Sequence, residues 1–265
     1  MQQWPSRELI MTQLYDMHCH LDFAEDCASI AYDIDDRIIA IDSTVMPSSY
    51  VSAKERLKDF PSVHVALGIH PWWIANGRVG EVDVTRFERL LGGERLIGEI
   101  GLDFHNKRKE SKDHQLEVFD RILNDIEKDG ADRLIFLHSV MACEEMFDLL
   151  GEHGAFGSNA CVMHWFSGTR DDFGRALANG CMFSVNMRML ATKAGREFAK
   201  AIPDDRLLLE TDSPAHEGMD WSACAWMQEA ENTARGIADI REAELDRVLE
   251  LLESNSKALI DSYCS

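Results

Sequence analysis

The sequence predicts a single α/β domain built as a closed (β/α)8, or TIM, barrel. Three observations carry that expectation. Eight short apolar or β-branched runs alternate with longer amphipathic stretches, the pattern of βα units on a parallel sheet. The chain has 265 residues, close to the roughly 250 that one such barrel typically needs. No GxGxxG follows the first run, which weighs against an open dinucleotide-binding sheet. Residues 1–10 are expected as a short N-terminal extension and residues 11–265 as the barrel domain.

The first strand-like run is Leu14–His20, which ends on two histidines. Residues i and i+2 of a strand share a side, so His18 and His20 should face together and Cys19 away from them. Arg37–Ile41 is the second run, followed by the helix-like Ser48–Phe60. Val63–His70 is the third, and Val84–Leu91 its helix. Leu96–Leu102 is the fourth, interrupted by Glu99, with Ser111–Lys128 after it. Leu134–His138 and Met141–His153 make the fifth unit, Ala160–Trp165 and Asp171–Ala178 the sixth. Cys181–Val185 with Leu190–Ala201 is the seventh, and Arg206–Glu210 is the eighth strand. Asp220–Cys264 reads as a final helical part of one or two helices.

Polar residues break these runs at their C-terminal ends: His18 and His20, Glu99, His138, His164 and, just after the eighth run, Asp212. In an α/β barrel that end is the catalytic face, so these residues converge. Four imidazoles and two carboxylates left unpaired among Val, Ile and Leu would cost several kcal/mol, and a divalent cation removes that cost by taking their lone pairs. His and carboxylate without thiolate suit Zn, Mn, Fe or Ni, with Mg if water completes the shell. Any one of these residues could instead be a hydrogen-bonded core histidine, an ion-pair partner or a helix cap. Their coincidence at one end of five strands points to a metal site.

The same segments resemble the TatD family of metal-dependent nucleases within the amidohydrolase superfamily. Asp16-Met17-His18-Cys19-His20-Leu21-Asp22 resembles its HxH opening, and Gly68-Ile69-His70-Pro71 its GxHP step. Gly98-Glu99-Ile100-Gly101-Leu102-Asp103 matches its GEIGLD signature. Met163-His164-Trp165-Phe166-Ser167-Gly168 resembles HxFSG, and Glu210-Thr211-Asp212-Ser213-Pro214 resembles ETDxP. The resemblance implies two divalent metal ions (Mg, Mn or Zn): His18, His20, Glu99 and Asp212 on one, Glu99, His138 and His164 on the other, with Glu99 bridging. It implies hydrolysis of a phosphodiester by an activated water, with Glu99 and Asp212 as catalytic groups and Asp212 the general base. Two departures bear on substrate. Val140 stands where the family carries an arginine after the fifth-strand histidine, and Ala215–Trp226 contains no arginine or lysine.

The formal net charge of −20 is awkward for polyanion binding, which draws on neutralised phosphates. A local answer is a basic rim of Lys107, Arg108, Lys109, Arg170, Arg188 and Lys193 on the loops of the catalytic face. Arg108, Arg170 and His70 are the expected substrate contacts, although His70 could equally structure the loop before Pro71, and His216 reads as a surface residue. Trp72, Trp73, Phe104, Trp165 and Phe166 could stack bases or close the barrel mouth. The expected partner is nucleic acid, single-stranded DNA favoured, with a protein partner as a source of the missing basic contacts. The alternatives are a superfamily hydrolase acting on a small ester or amide, and a nuclease subunit that works within a complex. Seven scattered cysteines without a CxxC, no apolar run of the roughly 18–20 residues that cross a bilayer, and no secretory h-region fit a cytoplasmic protein with no membrane association.

Overall fold

A computed structural model describes residues 13–264; the expected extension at residues 1–10 lies outside them. Eight strands form one sheet in sequence order: β1 (Leu14–Cys19), β2 (Ile38–Ser43), β3 (Val63–Ile69), β4 (Leu96–Asp103), β5 (Leu134–Val140), β6 (Ala160–His164), β7 (Met182–Val185) and β8 (Leu207–Leu209). Every neighbouring pair is parallel. The helices are α1 (Cys27–Ile34), α2 (Pro47–Leu57), α3 (Pro71–Ala75), α4 (Glu81–Leu91), α5 (Lys112–Asp129), α6 (Cys143–Glu152), α7 (Ala155–Ser158), α8 (Arg170–Ala178), α9 (Met187–Leu190), α10 (Lys193–Ala201), α11 (Ala223–Arg241) and α12 (Leu245–Tyr263). This is the (β/α)8 barrel that the alternation predicts, and the final helical part is two helices. No described helix is long and apolar enough to cross a membrane.

Local chemistry marks the helix ends. Thr169 and Asp172 form a reciprocal capping box at the start of α8. Thr192 caps α10 and thereby splits the expected Leu190–Ala201 helix into α9 and α10. Gly130, at φ 71°, ends α5 in the left-handed region that glycine enters without steric cost.

Two apolar cores result. The larger lies between sheet and helices and includes Ile97, Ile100 and Leu102 of β4 with Phe87, Phe119 and Trp226 of the helices. The smaller takes residues from all eight strands, among them Met17, Ile41, Phe136 and Leu208, and fills the barrel interior. Leu259, Ile260 and Tyr263 of α12 pack against it. The site is built above that filling.

The seam between the last and first strands is closed by residues beyond β8. Asp212 N donates to His18 O at 2.9 Å, and His20 N donates to Ser213 O at 2.9 Å. One step before them along both segments a side chain replaces a backbone acceptor. The fully buried Asp16 carboxylate accepts from Thr211 N at 2.9 Å, Thr211 Oγ1 at 2.6 Å and Trp226 Nε1 at 2.7 Å.

Candidate metal centre

Strand irregularities aim the site residues. In β1 the register shifts between Asp16 and Cys19. Met17 therefore faces the barrel filling, His18 and His20 face the mouth, and Cys19 packs in the outer core. The two imidazole rings lie 5.1 Å apart. In β4 a similar shift between Ile97 and Ile100 frees the Gly98–Glu99 step from the regular ladder, and Glu99 N reaches across to Thr44 O at 3.0 Å. Gly101 makes the close approach to β5 possible: a Cβ there would lie 2.0 Å from His138 O, at a φ of 141°.

Glu99 divides its two oxygens between two groups. Oε2 lies 3.3 Å from His18 Nε2 and 3.4 Å from His20 Nε2. Oε1 lies 2.6 Å from His138 Nδ1, 3.3 Å from His164 Nε2 and 3.2 Å from His70 Nε2. Asp212 Oδ1 stands 3.3 Å from His20 Nε2 and 3.9 Å from His18 Nε2. All six expected ligands thus meet at one point, and each is at most 9% exposed.

The partners of the far ring nitrogens set the tautomers. His20 Nδ1 faces the carbonyl oxygen of Ser43 at 2.7 Å, so it carries the proton and leaves the Nε2 lone pair to the site. His164 Nδ1 faces the Glu210 carboxylate at 3.1 Å and does the same. Glu210 is itself held by Ser184 and by Asn186 Nδ2. His18 Nδ1 is paired with Ser43 Oγ at 3.1 Å. His138 presents Nδ1 to Glu99, with Nε2 3.5 Å from Asp103 Oδ2. His70 is the odd one: its Nδ1 accepts from Trp72 N at 3.0 Å, so Nε2 carries the proton and points an N–H at Glu99. His70 sits with the ligand cluster as a donor.

Charges follow from this packing. Burial would raise the Glu99 carboxyl, but His70, His164 and His18, with the hydrogen bond from His138, outweigh it and hold it well below the carboxylate range. Burial would also raise Asp212, and the bond from His20 with the charges of His164, His20 and Arg188 brings it to about 2. Burial lowers His70 to about 4. Burial and the neighbouring His164 lower His18. Among the described residues, His18 Nε2, Glu99 Oε2 and His138 Nε2 are buried without a hydrogen-bond partner. Such orphaned atoms are costly alone and are the donor set a divalent cation takes up. Two trios that include Glu99 (His18 with His164, His70 with His138) and a third, His18–His20–Asp212, each bring ligand atoms within 4.8 Å of one another. The residues fit the metal chemistry.

The rim is less uniform than its sequence suggests. Arg108 turns inward, 3.1 Å from Asp103 Oδ2 and stacked 4.0 Å over Trp72. Arg188 bonds the backbone oxygens of Thr211 and Asp212, pairs with Asp212 Oδ2 at 3.1 Å and lies 5.2 Å over Trp165. Arg170 is exposed at the start of α8, Lys107, Lys109 and Lys193 are exposed, and His216 is exposed on the loop after β8. Of the five loop aromatics, Phe104 and Phe166 belong to the core, where Phe166 meets Phe173, Phe183 and Phe198. Trp72 is 40% exposed, and Trp165 and Trp73 are half-buried.

Ser43, Asp103, Ser184, Asn186 and Glu210 all bear on the site, yet sequence reasoning assigned them no role there, and it placed Arg188 on the rim and not against Asp212. Only Glu210 and Asp103 had a signal, since both lie inside the ETDxP and GEIGLD segments.

Comparison with known proteins completes the picture. The chain is 30% identical over 217 residues to an uncharacterised metal-dependent hydrolase, YabD of Bacillus subtilis, covering 76% of this chain and 80% of that one. It is 33% identical over 152 residues to the 3′-5′ ssDNA/RNA exonuclease TatD of Erwinia tasmaniensis, covering 56% of each. The fold matches YjjV, a TatD homologue of Escherichia coli, with a TM-score of 0.76 at 19% identity over 93% of this chain and 97% of that one. Residues 15–261 match the family of TatD related DNases, and the chain belongs to that family of metal-dependent hydrolases.

Proposed function

We propose that this chain is a metal-dependent phosphodiesterase that shortens single-stranded DNA, with RNA as the alternative strand, from an end. The observation that carries the reading is the way Glu99 splits its oxygens between two groups of imidazole nitrogens. His18 and His20 through Nε2, Asp212 through Oδ1 and Glu99 through Oε2 would hold one divalent cation. Glu99, His138 and His164 would hold a second. When bound, Mg, Mn or Zn at such a pair supplies Lewis-acid charge to a phosphoryl group and acidifies water toward neutral pKa.

The chain's own groups do the rest. Asp212, ionised across the neutral range, is the proton acceptor, and Arg188 on Oδ2 fixes which oxygen faces the site. His70 offers an N–H donor to a substrate oxygen in the space it shares with Glu99. Arg108 and Arg170 are the outlying phosphate contacts on an acidic body. The nucleic-acid substrate is supported by the DNase family match and by the exonuclease name of the Erwinia relative.

The test incubates purified protein with Mg, Mn or Zn and 3′- or 5′-labelled single-stranded DNA and RNA, with Glu99→Ala as control. Stepwise shortening by the parent alone is expected, and label dependence reads the polarity. An inactive parent that binds metal overturns the unassisted nuclease and directs attention to a small ester or to a partner chain that brings basic contacts.

A further inference from the structure

A pocket of about 370 Å3 opens beside the imidazoles of His138 and His164, within the roughly 300–1,000 Å3 of small-ligand sites. Trp72, Val140, Trp165 and Met189 contribute to its walls, and Ser167 contributes a hydroxyl; the Ser139 hydroxyl is taken by Cys143 and that of Thr192 by the start of α10. Among the described residues, no lysine, arginine, aspartate or glutamate lines it. A phosphate placed there would lose its water without gaining a charged partner. A flat neutral group suits the lining, since its faces can lie on aromatic rings while its edge meets the Ser167 hydroxyl.

Positive charge sits just outside. Arg108 stacks on Trp72 and Arg188 on Trp165, and neither guanidinium lines the pocket. Each indole therefore borders the pocket while carrying a cation. The layout is neutral and aromatic inside, cationic beside each ring, with the ligand cluster as one wall. A nucleotide has the same layout: a planar neutral base a short sugar linkage away from an anionic phosphate. Trp72 of α3, Met141 just after β5 and Met187 of α9, which follow β3, β5 and β7, are exposed apolar side chains at the same end of the barrel.

We propose that this pocket is a base subsite, taking one nucleobase of a single-stranded substrate next to the phosphodiester held at the His18–Asp212 centre. The proposal rests on the nuclease reading of that centre. The lining recognises ring face and size, so all four bases fit, an abasic residue gains nothing, and a base paired in a duplex must first leave its stack.

Two variants test it, Trp72→Ala, which removes a wall, and Ala194→Phe, which places a ring in the pocket from an exposed lining position. A phosphorothioate-linked strand ending in 2-aminopurine is titrated in Mg2+, because stacking quenches the fluorophore. Quenching by the parent is expected, with affinity about 5- to 150-fold weaker in both variants, the equivalent of the ~1–3 kcal/mol of one base–aromatic stack. No quenching by the parent, or equal affinity in all three proteins, overturns the proposal whatever the cleavage assay gives. In cleavage, the parent should prefer an ordinary strand over one abasic at the cut nucleotide by a similar factor, and the variants should lose that preference. A parent that cuts both strands equally refutes the base subsite and leaves the nuclease intact. A parent that cuts neither refutes the nuclease and this role for the pocket together.

Discussion

Replacing Asp16 by alanine tests how the barrel is closed. Asp16 touches none of the candidate ligating atoms, yet its carboxylate accepts three short hydrogen bonds, from Thr211 N, Thr211 Oγ1 and Trp226 Nε1, beside a longer one from His18 N at 3.3 Å. Alanine leaves these donors without their acceptor in a region closed to water. Each buried orphan costs about 1–3 kcal/mol, a gross loss of roughly 3–9 kcal/mol. Part returns, because burial pushes the Asp16 carboxyl up to about 7 against those same bonds, and that desolvation disappears with the group. A net loss of about 3–5 kcal/mol is expected, against a total stability of roughly 5–15 kcal/mol for a domain. Urea unfolding at constant m-value measures it. Thr211→Val keeps the side-chain shape and removes one donor, so its smaller loss, near 1–2 kcal/mol, checks the assignment. Asp212 follows Thr211, so metal affinity of the folded Asp16→Ala protein should also fall, about 10- to 100-fold as for other supporting groups. An Asp16→Ala protein within 1 kcal/mol of the parent, binding metal normally, would refute the seam argument.

Glu210→Gln should retain the fold and lose about 10- to 100-fold in metal affinity, because the amide can turn a donor toward His164 Nδ1 and upset its tautomer; calorimetric titration with Zn or Mn reads this, and unchanged affinity speaks against the orienting role. Arg170→Ala should weaken single-strand binding and flatten its salt dependence by about 0.7 in log–log slope with metal content unchanged, and an unmoved slope removes Arg170 from the substrate path. His153 lies between Asp120 and Glu127 at 2.9 and 2.8 Å, bonds that outweigh its burial and raise its pKa. Its contribution to stability is therefore complete below the free histidine value near 6.5 and fades as pH rises through the folded value. His153→Gln should narrow the gap to the parent in Tm above that value, and a constant gap from pH 5 to 9 would count against the pairing.

The fold was legible because each strand is a compact apolar run and each long helix an amphipathic one, and every expected run overlaps a real strand. The boundaries moved where polar residues end strands. β2 continues to Asp42 and Ser43 past the expected stop at Ile41, and β4 reaches Asp103. Apolarity cannot mark such ends, since those groups are buried by hydrogen bonding. α1 and the short α3, α7 and α9 were not anticipated, being single turns or a short alanine- and serine-containing stretch with no long period. The ligand cluster was legible because six polar residues interrupt runs that should be apolar. Its supports were not: Ser43, Ser184 and Asn186 act through contacts between distant segments, and nothing local distinguishes them from ordinary loop and strand residues. The cations of the rim were legible in the sequence, but not the partners two of them take: Arg108 pairs with Asp103 and stacks on Trp72, and Arg188 pairs with Asp212 and lies over Trp165.

The seam where the barrel meets itself is also the site. Asp212 supplies a backbone donor to His18 and a carboxylate to the same cluster, while Thr211 and Trp226 clasp Asp16 from the far end of the chain. The order of synthesis thereby becomes an order of competence. A ribosome that has delivered only the first 200 residues has made five of the six candidate ligands and no acceptor at position 212, and the edge of β1 is still open. A chain that ends before residue 212 should therefore show no cleavage in the labelled-strand assay, and cleavage by such a chain would refute the role given to Asp212.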